Sequence, residues 1–234
     1  MTKTEKGAIE RQTRLGKPRV NYSYGSYNKH NATEQWIRIT EGCPHNCPYC
    51  YEPQEFKVFG IPEIVRNDVK IMDMNLLAKP EALDILKKLA DIRVNGKRIN
   101  YELVCGIDYR FLTSEIATAL KNMRLKKIRM AWDWTIKDQY KLKDAITKLK
   151  KEGYKPKNIM IFMVCNWKIP FLECCRKLDV CKVWGVQVSD CYYDNQTFPN
   201  VQPVHWSYNN CKEFRKKCRT HNQLVNFGVD PDAK

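Results

Sequence analysis

The sequence predicts an α/β fold, in the form of a partial (β/α)6 TIM-like barrel with parallel strands and an irregular N-terminal arm. Two observations predict it. Short apolar or alternating segments recur at roughly thirty-residue intervals, and amphipathic helical segments lie between them. Such an alternation gives a parallel sheet with helices packed outside it. In barrels of this kind the functional residues follow the carboxyl ends of the strands.

The strands are the better defined elements. The first alternates apolar and polar residues, and the fifth is nearly all apolar, as in a buried strand. The six predicted strands cover 36–40, 69–73, 101–105, 127–132, 159–164 and 183–188.

The helices between the strands have recognisable boundaries. Pro80 suits a first helical position, Thr113 or Ser114 can cap the next helix, and Gly153 suits the residue just after a helix. The predicted helices begin at Pro80 and at Thr113 or Ser114, run through Leu142, Ile146 and Leu149 to near Gly153, and cover 171–178 and about 209–220.

The chain of 234 residues divides into three predicted parts. Residues 1–34 are a basic N-terminal arm in which tyrosines alternate with turn residues. Residues 35–190 form the barrel, and residues 191–234 form a C-terminal extension with a helix. The arm, with its aromatic and basic side chains, is the better candidate for gripping a single-stranded nucleic acid.

The charge predicts an anionic partner. The chain has 41 Lys and Arg against 26 Asp and Glu, a net charge of +15, and nucleic acid is the first class that such an excess favours. Between residues 121 and 157 there are 13 basic and 4 acidic residues, a pattern also typical of solvated helix faces. No signal peptide or membrane-spanning run is recognisable. We therefore expect a cytoplasmic protein without a membrane partner.

Three cysteines directly after the first strand form the most informative motif. Cys43, Cys47 and Cys50 are spaced C-x3-C-x2-C. Thiolates on such a short loop suit an iron–sulfur cube, and three of them leave one iron with an open position. The alternative is zinc, but a structural zinc site takes four ligands, and His45 inside the loop can hardly complete a tetrahedron with its neighbours.

This loop resembles the signature of the radical S-adenosylmethionine (SAM) superfamily, in which an aromatic residue, here Tyr49, precedes the last cysteine. Segments 73–80, 105–113 and 128–133 are similar to those of one uncharacterised branch of that superfamily. The resemblance implies a [4Fe–4S] cluster on the three cysteines, with SAM on the open iron. It also implies a one-electron donor such as flavodoxin or ferredoxin, and reductive cleavage of SAM to methionine and a 5′-deoxyadenosyl radical.

Polar residues at the other strand ends are candidates for holding SAM. Asp73 and Asn75 follow the second strand, where the superfamily binds the methionine ammonium, although the usual Gly-Gly-Glu run is absent. Asp108 and Arg110 follow the third strand and would orient a carboxylate or the ribose. Asp133 follows the fourth and would meet the ribose hydroxyls. The alternatives are a capping network before Pro80 and a mutual salt bridge of Asp108 with Arg110.

Other polar residues and cysteines give weaker signals. Asn166 and Asp190, at the last two strands, are better interpreted as turn residues. An auxiliary cluster is the less favoured interpretation of the C-terminal cysteines, because their spacings are wide and free cysteine often packs as a small apolar residue. Its candidate ligands are Cys181, Cys191, Cys211 and Cys218.

Two functions of different classes follow. The leading one is a radical SAM enzyme acting on an unidentified substrate, with RNA or another anionic molecule favoured by the charge. The alternative is a non-catalytic, basic zinc protein that binds nucleic acid. No pattern in the sequence separates hydrogen abstraction from methylthiolation or methyl transfer.

Overall fold

The computed structural model describes residues 24–45, 47, 50, 52–133, 135–165, 169–192 and 206–228. The strands are β1 (Tyr27–His30), β2 (Gln35–Arg38), β3 (Thr40–Glu41), β4 (Lys57–Val58), β5 (Asp68–Ile71), β6 (Arg93–Val94), β7 (Lys97–Arg98), β8 (Asn100–Leu103), β9 (Ile128–Ala131), β10 (Ile159–Cys165) and β11 (Gln187–Tyr192). The α-helices are α1 (Ala82–Asp91), α2 (Ser114–Asn122), α3 (Gln139–Lys151), α4 (Phe171–Trp184) and α5 (Tyr208–Phe227).

Six parallel strands follow one another in chain order. One sheet has the order β1-β2-β5-β8 and a second the order β11-β10-β9. Single parallel bridges, Tyr101 with Leu125 and Ile107 with Met130, connect β8 to the segment around β9. The alternation of parallel strands and helices confirms an α/β fold. The described residues form no closed barrel.

The helices bury apolar faces against the sheets, and the start of α2 and the end of α3 match the sequence signals. Helix α1 begins two residues after Pro80, and α4 and α5 continue beyond their predicted ends at 178 and 220. The Thr113 side chain accepts a hydrogen bond from the Ile116 N–H and caps α2 as expected. The α3 residues Leu142, Ile146 and Leu149 are all buried. Helix α5 covers the exposed edge of β11, where the Asn222 side chain exchanges hydrogen bonds with the backbone of Val188 at 2.7 and 2.8 Å. No helix in the described ranges has the length and apolarity to cross a membrane.

The sixth strand lies later in the chain than the sequence predicts. The prediction placed it at 183–188, but α4 continues to Trp184, and Val183 is a helical residue that is 81% exposed. Gly185, at φ 67°, ends the helix in the left-handed conformation that glycine adopts most easily. The alternating apolar run around 183 thus spans a helix end, a loop and the start of β11.

Part of the predicted irregular N-terminal arm is regular structure. Within it, β1 pairs antiparallel with β2 and extends the first sheet. The turn between them is held by the Asn31 side chain, which accepts hydrogen bonds from the N–H groups of Thr33 and Glu34, both at 2.8 Å. This hairpin shields the edge of β2. The first 23 residues of the arm lie outside the described residues.

Candidate functional site

The cysteine loop is closed at its base by backbone pairing. Strand β3, just before the loop, pairs antiparallel with β4, just after it. The Cys43 N–H donates to the Pro53 carbonyl at 2.8 Å and connects the two ends of the loop. Between β3 and Cys43, Gly42 has φ +98°, and a Cβ atom there would lie 2.1 Å from the Glu55 carbonyl oxygen. The chain can therefore enter the loop this way only with glycine.

The three loop thiols are partly exposed, and donors approach two of their sulfurs. The Asn75 amide donates to Cys43 Sγ at 3.4 Å, and the Glu52 N–H to Cys50 Sγ at 3.5 Å. None of the eleven cysteines, all of which are described, is in a disulfide. Donors aimed at thiolate sulfurs stabilise the negative charge that a metal-bound thiolate retains.

A polar network connects the cysteine loop to the end of β8. His45 Nε2 lies 2.6 Å from Asp108 Oδ2, which also accepts from the Asn75 amide at 3.1 Å. Arg110 binds both oxygens of Asp108, at 2.7 and 3.0 Å. Since Asn75 also reaches Cys43, the network joins the loop to two strand ends. Sequence reasoning named Asn75 and the pair of Asp108 with Arg110, but it did not connect them and missed the role of His45.

Asp108 is the centre of this network and is ionised in it. Burial alone would raise the pKa of Asp108, but the hydrogen bonds and charge of Arg110, with the contact from His45, outweigh burial and lower it. The structure thus contains the mutual salt bridge of Asp108 with Arg110. Their contact with SAM stays a prediction.

Asp73 holds the backbone at the start of the loop. Its carboxylate accepts hydrogen bonds from the Ile39 N–H at 2.9 Å, the Thr40 N–H at 2.7 Å and the Thr40 hydroxyl at 2.6 Å. Burial raises its pKa, while these bonds oppose the change. Both oxygens are therefore used to fix the residues that lead into β3. The contact of Asp73 with the SAM ammonium stays a prediction.

Buried charged residues that sequence reasoning did not single out surround the loop. The Lys79 ammonium donates to the Gly42 carbonyl and, at 3.3 Å, to that of Asn75. Burial lowers its pKa, and the charges of Cys43 and Glu52 oppose this. Glu52 accepts from the Gly42 N–H at 2.7 Å, and burial raises its pKa.

Arg38 is a further buried cation close to the site. It is 7% exposed, and its guanidinium lies 4.6 Å from the centre of the Tyr24 ring. Its Nη1 has no hydrogen-bond partner among the described residues. Sequence reasoning missed Arg38 and Lys79 because both residue types are usually exposed, and only the fold shows that they are buried near the loop.

The remaining predicted residues lie elsewhere. Tyr49 and Asn166 are outside the described residues. Asp133 is half-buried after β9. Burial lowers the pKa of Lys177, and the negative charge of Asp133 opposes this change. Asp190 lies within β11 rather than after it and accepts from Arg215 at 3.3 Å.

The C-terminal cysteines lie in and around the packing between β11, α4 and α5. Cys181 and Cys218 are 0% and 1% exposed, and burial raises the pKa of both thiols. Cys191 and Cys211 are half-buried, and burial raises their pKa as well. Thiols in such surroundings stay protonated and pack as small apolar side chains.

Comparison with solved structures finds a similar fold. It is that of a radical SAM methyltransferase, TsrM from Kitasatospora setae, whose structure contains cobalamin and a [4Fe–4S] cluster. The TM-score is 0.53 at 11% sequence identity, and the match covers 67% of this chain and 36% of that enzyme. At this identity the similarity concerns the fold alone. No protein-family model matches the chain, and no curated protein matches its sequence.

The chemistry of the loop's thiol donors is compatible with an iron–sulfur cluster. Across the described part of the chain, no group of three or more His, Cys, Asp or Glu side chains lies close enough to hold one metal ion. A four-iron cluster differs from a single ion, because each thiolate binds its own iron and the cysteine sulfurs do not converge on one point. Three partly exposed thiols on one loop, with donors at two of them, are ligands of the soft type that such a cluster uses.

Proposed function

We propose that this chain is a radical SAM enzyme built on a partial (β/α)6 barrel. Cys43, Cys47 and Cys50 would hold a [4Fe–4S] cluster. When bound, the cluster and SAM would supply the chemistry, namely one-electron cleavage to methionine and a 5′-deoxyadenosyl radical that takes hydrogen from a substrate. The single observation that carries the proposal is the position of the C-x3-C-x2-C loop, directly after the first parallel strand of a fold similar to that of a radical SAM enzyme.

The chain's own residues would position the loop and balance its charge. Asp73 and Gly42 fix where the loop begins, and Asp108 holds it through His45 and Asn75. The Lys79 ammonium, beside Gly42, places a positive charge close to thiolates that carry negative charge when they bind iron. Arg38 offers a buried donor, suited to a carboxylate such as that of SAM.

The partners follow from the chemistry and the charge. Cleavage of SAM consumes one electron, so a small donor such as flavodoxin or ferredoxin would reduce the cluster. The net charge of +15 favours an anionic substrate, with RNA first. A cytoplasmic setting would keep the eleven cysteines reduced.

The test is anaerobic reconstitution with iron and sulfide. We expect a brown protein with about four irons per chain that converts SAM to 5′-deoxyadenosine after reduction with dithionite. Cys47→Ala should lose both properties. Cys105→Ala is the matched control and should keep them, because Cys105 is a half-buried thiol after β8, outside the loop, whose pKa burial raises to about 11.

A colourless protein that binds zinc and forms no 5′-deoxyadenosine would contradict the proposal. It would favour the non-catalytic zinc protein, in which Cys47→Ala weakens folding or nucleic-acid binding instead. Loss of iron in both cysteine variants would mean that Cys105, whose thiol feels the charge of Cys50, also helps to hold the iron, and that the three loop cysteines do not hold it alone.

A further inference from the structure

A basic cavity lies at the edge of the sheets opposite the cysteine loop. Its volume is about 490 Å³, and it lies where β8, β9 and β10 begin. In a parallel sheet this edge is distant from the carboxyl ends of the strands, where the cysteine loop lies. Its main lining residues are Asn100, Lys121, Arg124, Lys126, Lys127 and Tyr154.

The positive charge of this cavity is largely uncompensated. Of its four cations, Lys126 pairs with Asp68 at 3.1 Å, and Lys121 donates to the Gly153 carbonyl at 3.2 Å. Arg124 and Lys127 are exposed, and no carboxylate in the described ranges forms a salt bridge with either. The cavity therefore presents two cations whose charge is available to a ligand.

Two buried polar atoms at the cavity also lack a partner. They are the hydroxyl of Tyr154, a residue only 5% exposed, and the Oδ1 of Asn100, neither of which has a hydrogen-bond partner in the described structure. Buried polar groups are normally hydrogen-bonded, so each needs an explanation. A hydroxyl can donate to a phosphate oxygen, and an amide oxygen can accept from a sugar hydroxyl.

Arg124 has a backbone conformation that folding alone does not favour. It follows the end of α2 at φ 61°, in the left-handed region where glycine is the usual residue. An arginine at this position strains the backbone and adds an exposed charge. A ligand that contacts its guanidinium accounts for the choice.

The basic surface continues on both sides of the cavity. One neighbouring cavity contains Arg93, Arg98 and Lys87 together with Asp91 and Glu115, so it has a smaller excess of positive charge. The Arg98 guanidinium donates to the Asn122 carbonyl at the end of α2. The other is lined by Lys155, Lys157 and Lys182. Cations in several adjoining cavities suit a repeating polyanion better than a single phosphate.

We propose that this cavity binds the sugar–phosphate backbone of a nucleic acid. Arg124 and Lys127 contact phosphates in the conformation described. The Tyr154 hydroxyl and the Asn100 oxygen are buried, so their side chains turn towards the ligand before the first donates to a phosphate oxygen and the second accepts from a ribose 2′-hydroxyl. The proposal is independent of the cysteine loop, because the site needs neither iron nor SAM. It places the binding surface on the barrel rather than on the N-terminal arm.

The test uses the full chain, without iron, and fluorescence anisotropy with a labelled single-stranded RNA of about twenty nucleotides. The variant Arg124→Gly/Lys127→Gln should weaken binding about tenfold at moderate salt. The slope of log K against log salt should fall by about 0.7 for each phosphate that the variant no longer neutralises. Because glycine suits φ 61°, the melting temperature should not decrease, which separates weaker binding from weaker folding.

The matched control is Lys143→Gln/Lys150→Gln, which removes two exposed charges from α3. It should change the affinity less than about twofold. An equal loss of affinity in both double variants would overturn the proposal, because net charge alone would then explain binding. So would unchanged binding in the cavity variant, or competition by polyglutamate as effective as that by RNA.

The same measurement with a DNA of the same sequence distinguishes the phosphate contacts from the sugar contact. Equal affinity for DNA and RNA supports the phosphate contacts. Tighter binding of RNA that Asn100→Ala removes supports the sugar contact as well.

Discussion

The cysteines in the loop and those in the C-terminal half differ in exposure and in the residues that surround them. In the loop, Cys43, Cys47 and Cys50 are partly exposed, and hydrogen-bond donors and charged side chains surround them. In the C-terminal half, Cys181 and Cys218 are almost completely buried, and burial raises the pKa of both thiols. The surroundings of the loop set are compatible with the metal binding that we propose, whereas those of the C-terminal set favour packing.

This difference shows that the polar residues close to a cysteine say more about its role than the number of cysteines does. The loop is held by Asp73, Asp108 and Lys79, each of them buried and each bonded to loop residues or their neighbours. Burying three charged groups costs free energy. We infer that the loop geometry is what they maintain.

The largest expected effect is a difference in thiol labelling. In the native protein without iron, iodoacetamide should label the three loop cysteines, while Cys181 and Cys218 should stay unlabelled until the chain is unfolded. Peptide mass spectrometry measures both. Reconstitution with iron and sulfide should then protect the loop cysteines only.

Cys175 and Cys211 are the controls for that labelling experiment. Both are half-buried and outside the loop, so iron and sulfide should leave their labelling unchanged. Protection of all partly exposed cysteines would show that reconstitution only tightens the fold. It would remove the distinction between the two regions.

The second largest expected effect is the difference in stability loss when each of two glycines with positive φ is replaced by alanine. Gly42→Ala should destabilise the fold by about 3 kcal/mol and abolish iron retention, because its Cβ would lie 2.1 Å from a backbone oxygen. Gly185→Ala should cost about 1 kcal/mol and leave iron retention intact, because its Cβ meets Pro156 at an ordinary 3.7 Å. Urea unfolding and iron content measure the two effects. Equal costs would mean that the loop entrance is no more constrained than a helix end.

The sequence predicts strands and helices well here because periodicity is a local property. Strands β5, β8, β9 and β10 lie within a few residues of their predicted positions, and Thr113 caps α2 as expected. The error at 183–188 is local too. Alternating apolar residues fit a strand and a helix end equally well, and Gly185 was the signal that decided between them.

The site could be predicted only in part because its contacts join distant residues. The proposed metal ligands form a compact motif, but His45 and Asp108 are 63 positions apart. Their contact depends on where the loop lies relative to the end of β8. Asp73 shows the same limit, because its position after a strand was predicted while its bonds back to Thr40 require the folded sheet.

A smaller effect tests whether the polar network supports the cluster. Asp108→Asn should cost about 2 kcal/mol in urea unfolding, because the amide nitrogen cannot accept from Arg110 or His45. It should also release iron to a chelator about tenfold faster, as expected for a partner that orients metal ligands indirectly. Glu102→Gln breaks a comparable ion pair with Arg129 and should leave iron release unchanged. Equal iron release from both variants would contradict the role of Asp108.

The smallest effect is a difference in pH dependence between the two regions. In the C-terminal half, His221 lies on α5 and donates from Nε2 to the Val186 carbonyl at 2.7 Å, and burial lowers its pKa. The unfolded chain therefore binds a proton on this residue more readily than the folded chain does. Stability from neutral His221 is complete above about pH 6.5 and is lost as the pH falls towards the lower folded pKa.

His221→Gln keeps a donor for Val186 but removes the titration. Wild type should therefore lose more stability than this variant between about pH 7.5 and about pH 5.5 in urea unfolding. Asp108 acts in a separate window. Because its folded pKa is lowered, its contribution is complete above about pH 3.9 and is lost only as the pH falls further. For each variant, the quantity to follow is the difference in free energy of unfolding between wild type and variant as the pH falls. If this difference disappeared over the same pH range for His221→Gln and for Asp108→Asn, the two regions would not be electrostatically independent.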